Sequence, residues 1–315
     1  MLISCLKYLT SIADKLGKDE PDISMDLQRD LVLGIYISGS HITTALVDTV
    51  SNEILEKTYY RTKINSWGSR DHIISSWCDA IKKTAGAADL TKIKMGIAMP
   101  GQFDYDNGIC YIRGNKKYDA LYGVNIKELL AQQLNSSPDH IRMLNDAAAF
   151  LQGELRAGVI KNSGKAIALT LGTGLGTAVY SGGIVRDAEL WDSPFLDSKA
   201  ENYISTKWFM GRYFESTGMN VVNIKALNNL FSESATVKSI FKDFTINLGI
   251  LIRQFVEKEQ PEVIILGGDI TIASSKFLPD LKKNLQLEGI DIPIHVSSMG
   301  DRALIFGASS SWSVK

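Results

Sequence analysis

Short apolar runs alternate with longer amphipathic stretches along most of this chain. The apolar runs are rich in Ile, Val and Leu and end at small or turn-forming residues, which predicts buried β-strands. The amphipathic stretches carry apolar side chains at helical spacing, as residues 72–85 do. Strands are predicted at 31–37, 42–47, 54–62, 93–99, 141–144, 166–171, 177–180, 263–266 and 294–297, and helices at 72–85, 124–134, 145–158, 200–217, 221–231, 234–258, 277–287 and 303–312. Because the two kinds of element alternate, the sequence predicts an α/β fold.

Two segments share one layout, in which a turn of small residues joins two strands. The first turn is Ser38-Gly39-Ser40, and the second contains Gly172, Thr173, Gly174 and Gly176. Glycine-dense turns can direct several backbone N–H groups at one anion, so a phosphate group is the natural ligand. A tight hairpin without a ligand is the alternative. A dinucleotide fingerprint is excluded, because Thr177 stands in place of the third glycine and a strand follows instead of a helix.

Length, charge and cysteine content narrow the class of protein. The chain has 315 residues, 45% of them hydrophobic, and a net charge of −1. This length predicts about two domains, and the near-neutral charge predicts neither a nucleic-acid nor a membrane partner. The three scattered cysteines suggest neither a disulfide framework nor a zinc site, so we expect a reducing cytoplasm. No run approaches the ~18 apolar residues of a membrane span.

Further candidate chemistry lies at the predicted strand ends. Asn145 and Asp146 precede an alanine-rich helix, where they form either a helix cap or a carboxylate placed to accept a proton from a bound hydroxyl. Gly267-Gly268 ends a buried strand, and Gly101 opens a polar loop at 102–122. Ligands of α/β proteins bind at such strand ends, so these features together predict a phosphate-handling site.

The chain resembles the ROK sugar kinases of the actin/hexokinase-like superfamily. The resemblance covers about residues 31–310 and rests on six motifs that stand in the family's order. The motifs are LGIYISGSHITTALVD, GIAMPGQFDYDNG, NDAAAFLQGE, LTLGTGLGTAV, VIILGGDI and DRALIFGAS. The resemblance implies two RNase H-like (actin-like ATPase) lobes with a cleft between them. Their expected bounds are 31–144 and 145–302, with the helix at 303–315 returning to the first lobe and residues 1–30 as a lead-in.

The resemblance also implies a role for individual residues. Asp146 matches the catalytic base and Asn145 a sugar ligand, while Gly101 and Asn115 match the loops that hold the sugar. The residues that match nucleotide-binding positions are Gly39, Ser40 and His41 in the first turn, Gly172, Thr173 and Gly174 in the second, and Gly267 and Gly268 on the adenosine side. The implied ligands are a sugar and ATP, with Mg²⁺ brought by the ATP, and the implied assembly is a homodimer.

Several positions depart from the family pattern. Tyr36 stands where an aspartate usually helps to organise Mg²⁺, and Ser38 stands where glycine is usual. A phenol cannot replace the charge of a carboxylate near a metal ion. The cysteine-rich zinc motif is missing, so we expect no structural zinc. The Gly-Glu-x-Gly-His sugar motif is also missing; Glu189 and Glu201 are candidates for its glutamate, and Glu201 is favoured.

Three functions compete on this evidence. The leading hypothesis is ATP-dependent phosphorylation of glucose or a related sugar such as an N-acetylhexosamine. The second is a sugar-binding sensor that has lost catalysis, which the presence of Tyr36 motivates. The third is a sugar-responsive repressor, which is disfavoured because the residues before Leu31 are neither basic nor numerous enough for a DNA-binding module.

Overall fold

The computed structural model describes residues 30–114, 117–161 and 163–313, so all of the predicted lead-in except Asp30 lies outside the described residues. Every element below belongs to one compact unit, Leu31–Lys315. The strands are β1 (Leu31–Ile37), β2 (His41–Asp48), β3 (Glu53–Ile54), β4 (Tyr60–Lys63), β5 (Lys94–Met99), β6 (Phe103–Asp104), β7 (Ile109–Cys110), β8 (Ile141–Asn145), β9 (Lys165–Leu171), β10 (Leu175–Ser181), β11 (Ile184–Asp187), β12 (Pro194–Phe195), β13 (Ser198–Lys199), β14 (Val263–Gly267) and β15 (Ile294–Val296).

The helices fill the intervals between these strands. The α-helices are α1 (Arg70–Ala85), α2 (Ile126–Leu134), α3 (Asp146–Ala157), α4 (Thr206–Thr217), α5 (Ile224–Leu230), α6 (Ala235–Glu259), α7 (Leu278–Leu287) and α8 (Asp301–Ser310). Short 3₁₀ helices lie at Glu56–Thr58, Asp119–Leu121, Pro138–His140, Leu190–Asp192, Ala200–Asn202 and Asp269–Lys276. Within the described ranges, no helix has both the length and the apolar composition needed to span a membrane.

Two sheets are built on the same plan. The first has the order β3-β2-β1-β5-β8, with β4 also paired to β2, and the second has the order β11-β10-β9-β14-β15. In each sheet the central strand pairs antiparallel with the strand that follows it and parallel with a later one: β1 with β2 and β5, and β9 with β10 and β14. The two similar segments seen in the sequence are therefore equivalent hairpins in equivalent sheets.

Each sheet has its own hydrophobic core. The predicted apolar face of α1 is confirmed, because Ile73, Ile74, Trp77 and Ile81 are buried against the first sheet. Burying such a side chain contributes about 1.5–3 kcal/mol. The second sheet packs against α6, whose buried face includes Phe241 and Phe244.

Helices α3 and α8 cross closely between the sheets. Gly153 faces Ala303 at one contact, and Gly307 faces Ala149 at another. The small residues bring the two helix backbones together, which holds the end of α3 that follows β8 in a fixed place. Helix α8 also packs on β1, where Ile305 contacts Gly34.

Three predicted elements differ from the structure. The strand predicted at 54–62 is two short strands, because a 3₁₀ turn at Glu56–Thr58 interrupts it. No strand or helix is predicted between residues 184 and 199, but this segment begins with β11, which pairs with β10. The helix predicted at 200–217 begins as an α-helix only at Thr206, since the Ser205 side chain accepts a hydrogen bond from the Trp208 N–H and caps it.

Candidate functional site

The candidate site is built at the carboxyl ends of the parallel strands. Within the first sheet β1, β5 and β8 are parallel, and within the second β9 and β14 are parallel. The residues that follow these strands therefore emerge at one edge of each sheet, where α/β folds bind ligands. The glycine turns, Gly101, Asp146 and Gly267-Gly268 all stand at such ends.

Asp146 is the first residue of α3, directly after β8. The Asn145 side chain caps this helix, because its Oδ1 accepts hydrogen bonds from the N–H groups of Ala147 at 2.8 Å and Ala148 at 3.2 Å. The predicted cap is therefore present, and Asn145 provides it. The cap leaves the Asp146 carboxylate at the strand–helix junction, where its Oδ1 accepts a hydrogen bond from the Ala147 N–H at 2.9 Å.

Burial dominates the electrostatics of Asp146. The loss of hydration raises the pKa of this carboxyl group to about 6, and the negative charge of Asp187 adds to the rise. The hydrogen bond from Ala147 opposes the shift. Such a carboxyl group exchanges its proton near neutral pH, which is what a general base requires.

Asp187 is a further candidate site residue, close enough to Asp146 to affect its pKa, that the sequence analysis missed. It ends β11, and burial together with the nearby Glu189 charge raises its pKa. Its Oδ1 accepts a hydrogen bond from the Glu189 N–H at 2.8 Å. A signal was present, because Gly182-Gly183 between two β-prone runs is typical of a hairpin and predicts a strand that ends at Asp187.

Tyr105 joins Asp146 from the polar loop after β5. Its hydroxyl lies 2.8 Å from the Met99 carbonyl oxygen and 2.9 Å from the Gly101 carbonyl oxygen. Asn145 Nδ2 lies 3.5 Å from the same hydroxyl. Burial raises the pKa of Tyr105, and the negative charge of Asp146 raises it further. The loop therefore brings Gly101 close to the Asp146 junction. The predicted sugar ligand Asn115 lies outside the described residues.

The first glycine turn is closed by its own serine. The Ser38 Oγ accepts hydrogen bonds from the His41 N–H at 3.0 Å and the Ser40 N–H at 3.3 Å, and it donates to the His41 carbonyl oxygen at 3.1 Å. The Gly39 carbonyl oxygen accepts a hydrogen bond from Ser66 Oγ at 2.8 Å. Two N–H groups that would face a phosphate are thus satisfied within the turn.

Basic side chains surround the first turn. The Lys117 ammonium group lies against Gly39, and the pKa of His41 is lowered by burial and then by the positive charge of Arg61. Arg61 Nε also lies 3.2 Å from Asp301 Oδ2 at the start of α8. Positive charge at this turn favours an anionic ligand such as a phosphate group.

Tyr36 lies near the end of β1, just before the first turn. Burial raises its pKa, and the charges of Asp146, Asp301 and Asp269 raise it further. The phenol therefore stays protonated and neutral at physiological pH. All three aspartates are close enough to affect Tyr36. The elements that carry them, α3, α8 and the segment after β14, therefore lie near β1.

The second glycine turn is closed by a residue from elsewhere in the chain. The Leu175 N–H donates a hydrogen bond to Glu201 Oε2 at 3.0 Å. That oxygen lies where a β-carbon on Gly174 would be, so only glycine leaves room for it. The Gly172 carbonyl oxygen accepts hydrogen bonds from the Thr206 N–H at 2.8 Å and the Thr206 Oγ1 at 2.7 Å. Thr173, between these two glycines, is exposed.

The second hairpin touches the helix that carries Asp146. Gly176 in β10 packs against the Ala147 side chain, one residue after Asp146. Gly268, with φ of 88°, follows β14 and packs against the backbone of Leu171, the last residue of β9. Gly267 faces the ring of Phe150 in α3. The glycine pair thus has a packing role beside the second turn, and its adenosine role stays a prediction.

The site offers more groups suited to the phosphates of ATP than side chains suited to Mg²⁺. The N–H groups of Ser40 and His41 in the first turn and of Leu175 in the second already have partners, and they become donors for phosphate oxygens only when those partners are displaced. Lys117 and Arg61 supply positive charge beside the first turn. Among the residues that the structure describes, no group of three or more His, Cys, Asp or Glu side chains could hold a metal ion. Asp301 is engaged by Arg61 and by Thr43 Oγ1, which donates to it at 2.7 Å.

Comparison with known proteins finds a curated relative that matches about half of the chain. Glucokinase of Thermotoga maritima is 26% identical over 152 residues, which are 48% of this chain. The matched part spans 45% of that glucokinase, less than half of its length.

Solved structures resemble nearly the whole chain. A ROK family glucokinase from Streptomyces griseus, determined with glucose and AMPPNP, has a TM-score of 0.72 at 18% identity and covers 89% of this chain and 98% of its own. A Listeria monocytogenes protein, described with reservation as an N-acetylmannosamine kinase, has a TM-score of 0.73 at 18% identity and covers 89% and 97%. The chain therefore has the actin-like ATPase fold, as predicted.

A family model supplies the last comparison. The model of the ROK family matches residues 32–188, about half of the chain. The match contains β1, both glycine turns, Asp146 and Asp187. With the family model, the curated relative and the shared fold in agreement, the chain belongs to the ROK family.

Proposed function

We propose that this protein transfers the terminal phosphoryl group of ATP to a hydroxyl group of a hexose, with Asp146 as the general base. The observation that carries the proposal is the Asp146 carboxylate, which stands at the β8–α3 junction next to the second hairpin and has a pKa of about 6. A base with this pKa combines the ionised form at neutral pH with enough basicity to accept a hydroxyl proton.

In the proposed reaction the sugar oxygen attacks the terminal phosphorus of ATP. The bond between that phosphorus and the bridging oxygen of the departing ADP breaks, and the hydroxyl proton passes to the Asp146 carboxylate. N–H groups of the two turns and the nearby cations stabilise the negative charge on the transferred group. When bound with ATP, Mg²⁺ supplies further neutralisation of the phosphate charge.

Sugar binding is assigned to the residues around Asp146. The roles that the family resemblance implies are kept for Gly101, Asn115 and Asn145. Asp187 is added as a second carboxylate, able to accept a hydrogen bond from a sugar hydroxyl. The sugar role suggested for Glu201 has less support, because its carboxylate bonds to the second turn. Glucose or an N-acetylhexosamine is the proposed acceptor class, by analogy with the Thermotoga glucokinase and with the Listeria structure that is described, with reservation, as an N-acetylmannosamine kinase.

A sugar-binding protein with impaired catalysis is the second candidate. Tyr36 is neutral among three aspartates where a carboxylate is usual, and Ser38 occupies N–H groups of the first turn. Both features weaken phosphate or metal handling and leave the surroundings of Asn145 and Asp187 intact. This candidate predicts sugar affinity without turnover.

A sugar panel separates the two candidates. We expect sugar-dependent ADP release from Mg·ATP in a coupled assay, with one or a few hexoses active. Calorimetry with the same sugars is run in parallel. Sugar binding without ADP release would support the impaired protein, and neither binding nor release would contradict both.

A further inference from the structure

The carboxylate of Glu201 lies on the second glycine turn. Its Oε2 accepts the Leu175 N–H at 3.0 Å and fills the space beside Gly174 that a side chain would otherwise take. Glu201 is 26 residues from Leu175 in sequence and belongs to the 3₁₀ turn Ala200–Asn202. The contact therefore depends on the tertiary fold and is not part of the hairpin itself.

Backbone hydrogen bonds hold the chain in place on both sides of Glu201. Ala200 is buried, and its N–H donates to the Ser193 carbonyl oxygen at 3.1 Å. On the other side, Thr206 donates to the Gly172 carbonyl oxygen through both its N–H and its hydroxyl. The backbone of residues 200–206 thus runs along the turn, while the partly exposed Glu201 side chain has rotatable bonds that let it turn away.

A carboxylate and a phosphate group make the same demand on this turn. Both are anions that accept hydrogen bonds from backbone N–H groups, and such charge-assisted bonds are stronger than neutral ones. The Leu175 N–H cannot serve both fully, and two anions side by side repel each other. A phosphate that binds the Leu175 N–H must therefore displace the Glu201 carboxylate.

We propose that Glu201 is a gate on the second turn, which competes with the terminal phosphate of a nucleoside triphosphate for the Leu175 N–H. The proposal rests on the proposed function, since it assigns the second turn to phosphate. Glu201 acts here by lowering nucleotide affinity, so that a nucleotide must pull the carboxylate away before its terminal phosphate reaches the turn.

The test compares nucleotide affinity in three variants. AMPPNP with Mg²⁺ is titrated by calorimetry into the full chain carrying Glu201→Ala, Glu201→Gln or the control Glu233→Gln. We expect Glu201→Ala to bind about tenfold more tightly than the unchanged protein, because one charge-assisted hydrogen bond no longer has to be broken. Glu201→Gln keeps an acceptor oxygen without the charge and should fall between. Glu233→Gln removes an exposed acid outside the proposed site and should leave the affinity unchanged.

A purely structural role for Glu201 gives the opposite result. If Glu201 only held the turn in shape, both variants would bind AMPPNP more weakly, and this outcome, like an unchanged affinity, overturns the gate. Glu201→Gln keeps the test decisive if Glu201→Ala unfolds. Binding by the unchanged protein with no gain in the variants rejects the gate alone. An absence of binding in every protein rejects the proposed function together with the gate.

Discussion

The two glycine turns occupy equivalent places in equivalent sheets but are closed in different ways. The first is closed by the neutral hydroxyl of Ser38, which lies within the turn. The second is closed by the charged carboxylate of Glu201, which arrives from a separate segment. The neutral Ser38 hydroxyl does not repel an incoming phosphate. The Glu201 carboxylate does repel it, but this side chain can also move away from the turn.

One hairpin plan thus supports two ways of controlling the binding of an anionic ligand. Lys117 lies against the first turn and Arg61 lies nearby, so that turn attracts an anion although Ser38 occupies two of its N–H groups. The second turn carries an anion of its own chain and touches the helix of Asp146 through Gly176. We infer that nucleotide affinity is set at both turns and that proton transfer is set at Asp146 between them.

Replacing the base should have the largest effect, because phosphate binding at the two turns leads to reaction only when Asp146 accepts the hydroxyl proton. Asp146→Asn keeps an oxygen for the Ala147 N–H but cannot accept a proton. Sugar-dependent ADP release should fall by about a thousandfold, within the range of general-base contributions. Calorimetry should show that sugar affinity changes far less. A variant that retains the turnover of the unchanged protein would remove Asp146 from the reaction.

The same variant should also change stability with a definite pH dependence. The pKa of Asp146 is raised in the folded state, so ionisation of Asp146 costs stability once the pH exceeds the unfolded value near 4. The cost is complete above a pH of about 6 and corresponds to about 2 kcal/mol after allowance for partial exposure. Asp146→Asn should therefore stabilise the protein at neutral pH and lose this advantage as the pH falls to about 4. An equal gain at both values would contradict the raised pKa.

Restoring a carboxylate at position 36 should have an intermediate effect. Tyr36→Asp adds negative charge beside Asp146, Asp269 and Asp301, which favours a metal ion at the phosphate end of the site. At saturating Mg²⁺ we expect turnover to rise about tenfold, with a steeper dependence on Mg²⁺ concentration. Tyr36→Phe, which removes only the hydroxyl, is the control and should not change the Mg²⁺ dependence. A fall in turnover at every Mg²⁺ concentration would show that Tyr36 serves this chain better than the usual residue.

Opening the first turn should have the smallest effect. Ser38→Gly frees the N–H groups of Ser40 and His41, so AMPPNP should bind about threefold more tightly, while the free energy of unfolding should drop by about 1 kcal/mol. Ser51→Gly, at the turn between β2 and β3, is a matched control for the cost of glycine. If Ser38→Gly weakens nucleotide binding, the serine contributes to the phosphate site and does not merely occupy the N–H groups of Ser40 and His41.

Local patterns in the sequence were enough to predict the scaffold of the site. Apolar runs that end at small residues predicted both hairpins, and the Asn145-Asp146 pair predicted the helix cap that is present. The buried face of α1 with Trp77 followed from helical spacing. Each of these features depends on residues that are close together in the chain.

Contacts between distant segments could not be predicted in the same way. No local pattern shows that Glu201 reaches the second turn, or that Asp301 at the start of α8 approaches Tyr36, because both contacts depend on how the sheets and helices pack. Asp187 was missed for a different reason. Gly182-Gly183 indicated a hairpin, but the strand that follows has only two apolar residues and alternates between exposed and partly buried positions, so the signal was weak.

The pH dependence of kcat/KM for the sugar is the sharpest test of Asp146 as the general base, because it reports the protonation state of the base in the free enzyme. The pKa of Asp146 is about 6, and only the ionised form accepts the hydroxyl proton. The account predicts that kcat/KM falls tenfold per pH unit on the acid side, with a midpoint at about 6. A profile that stays flat as the pH falls from about 7 to about 5 would contradict it.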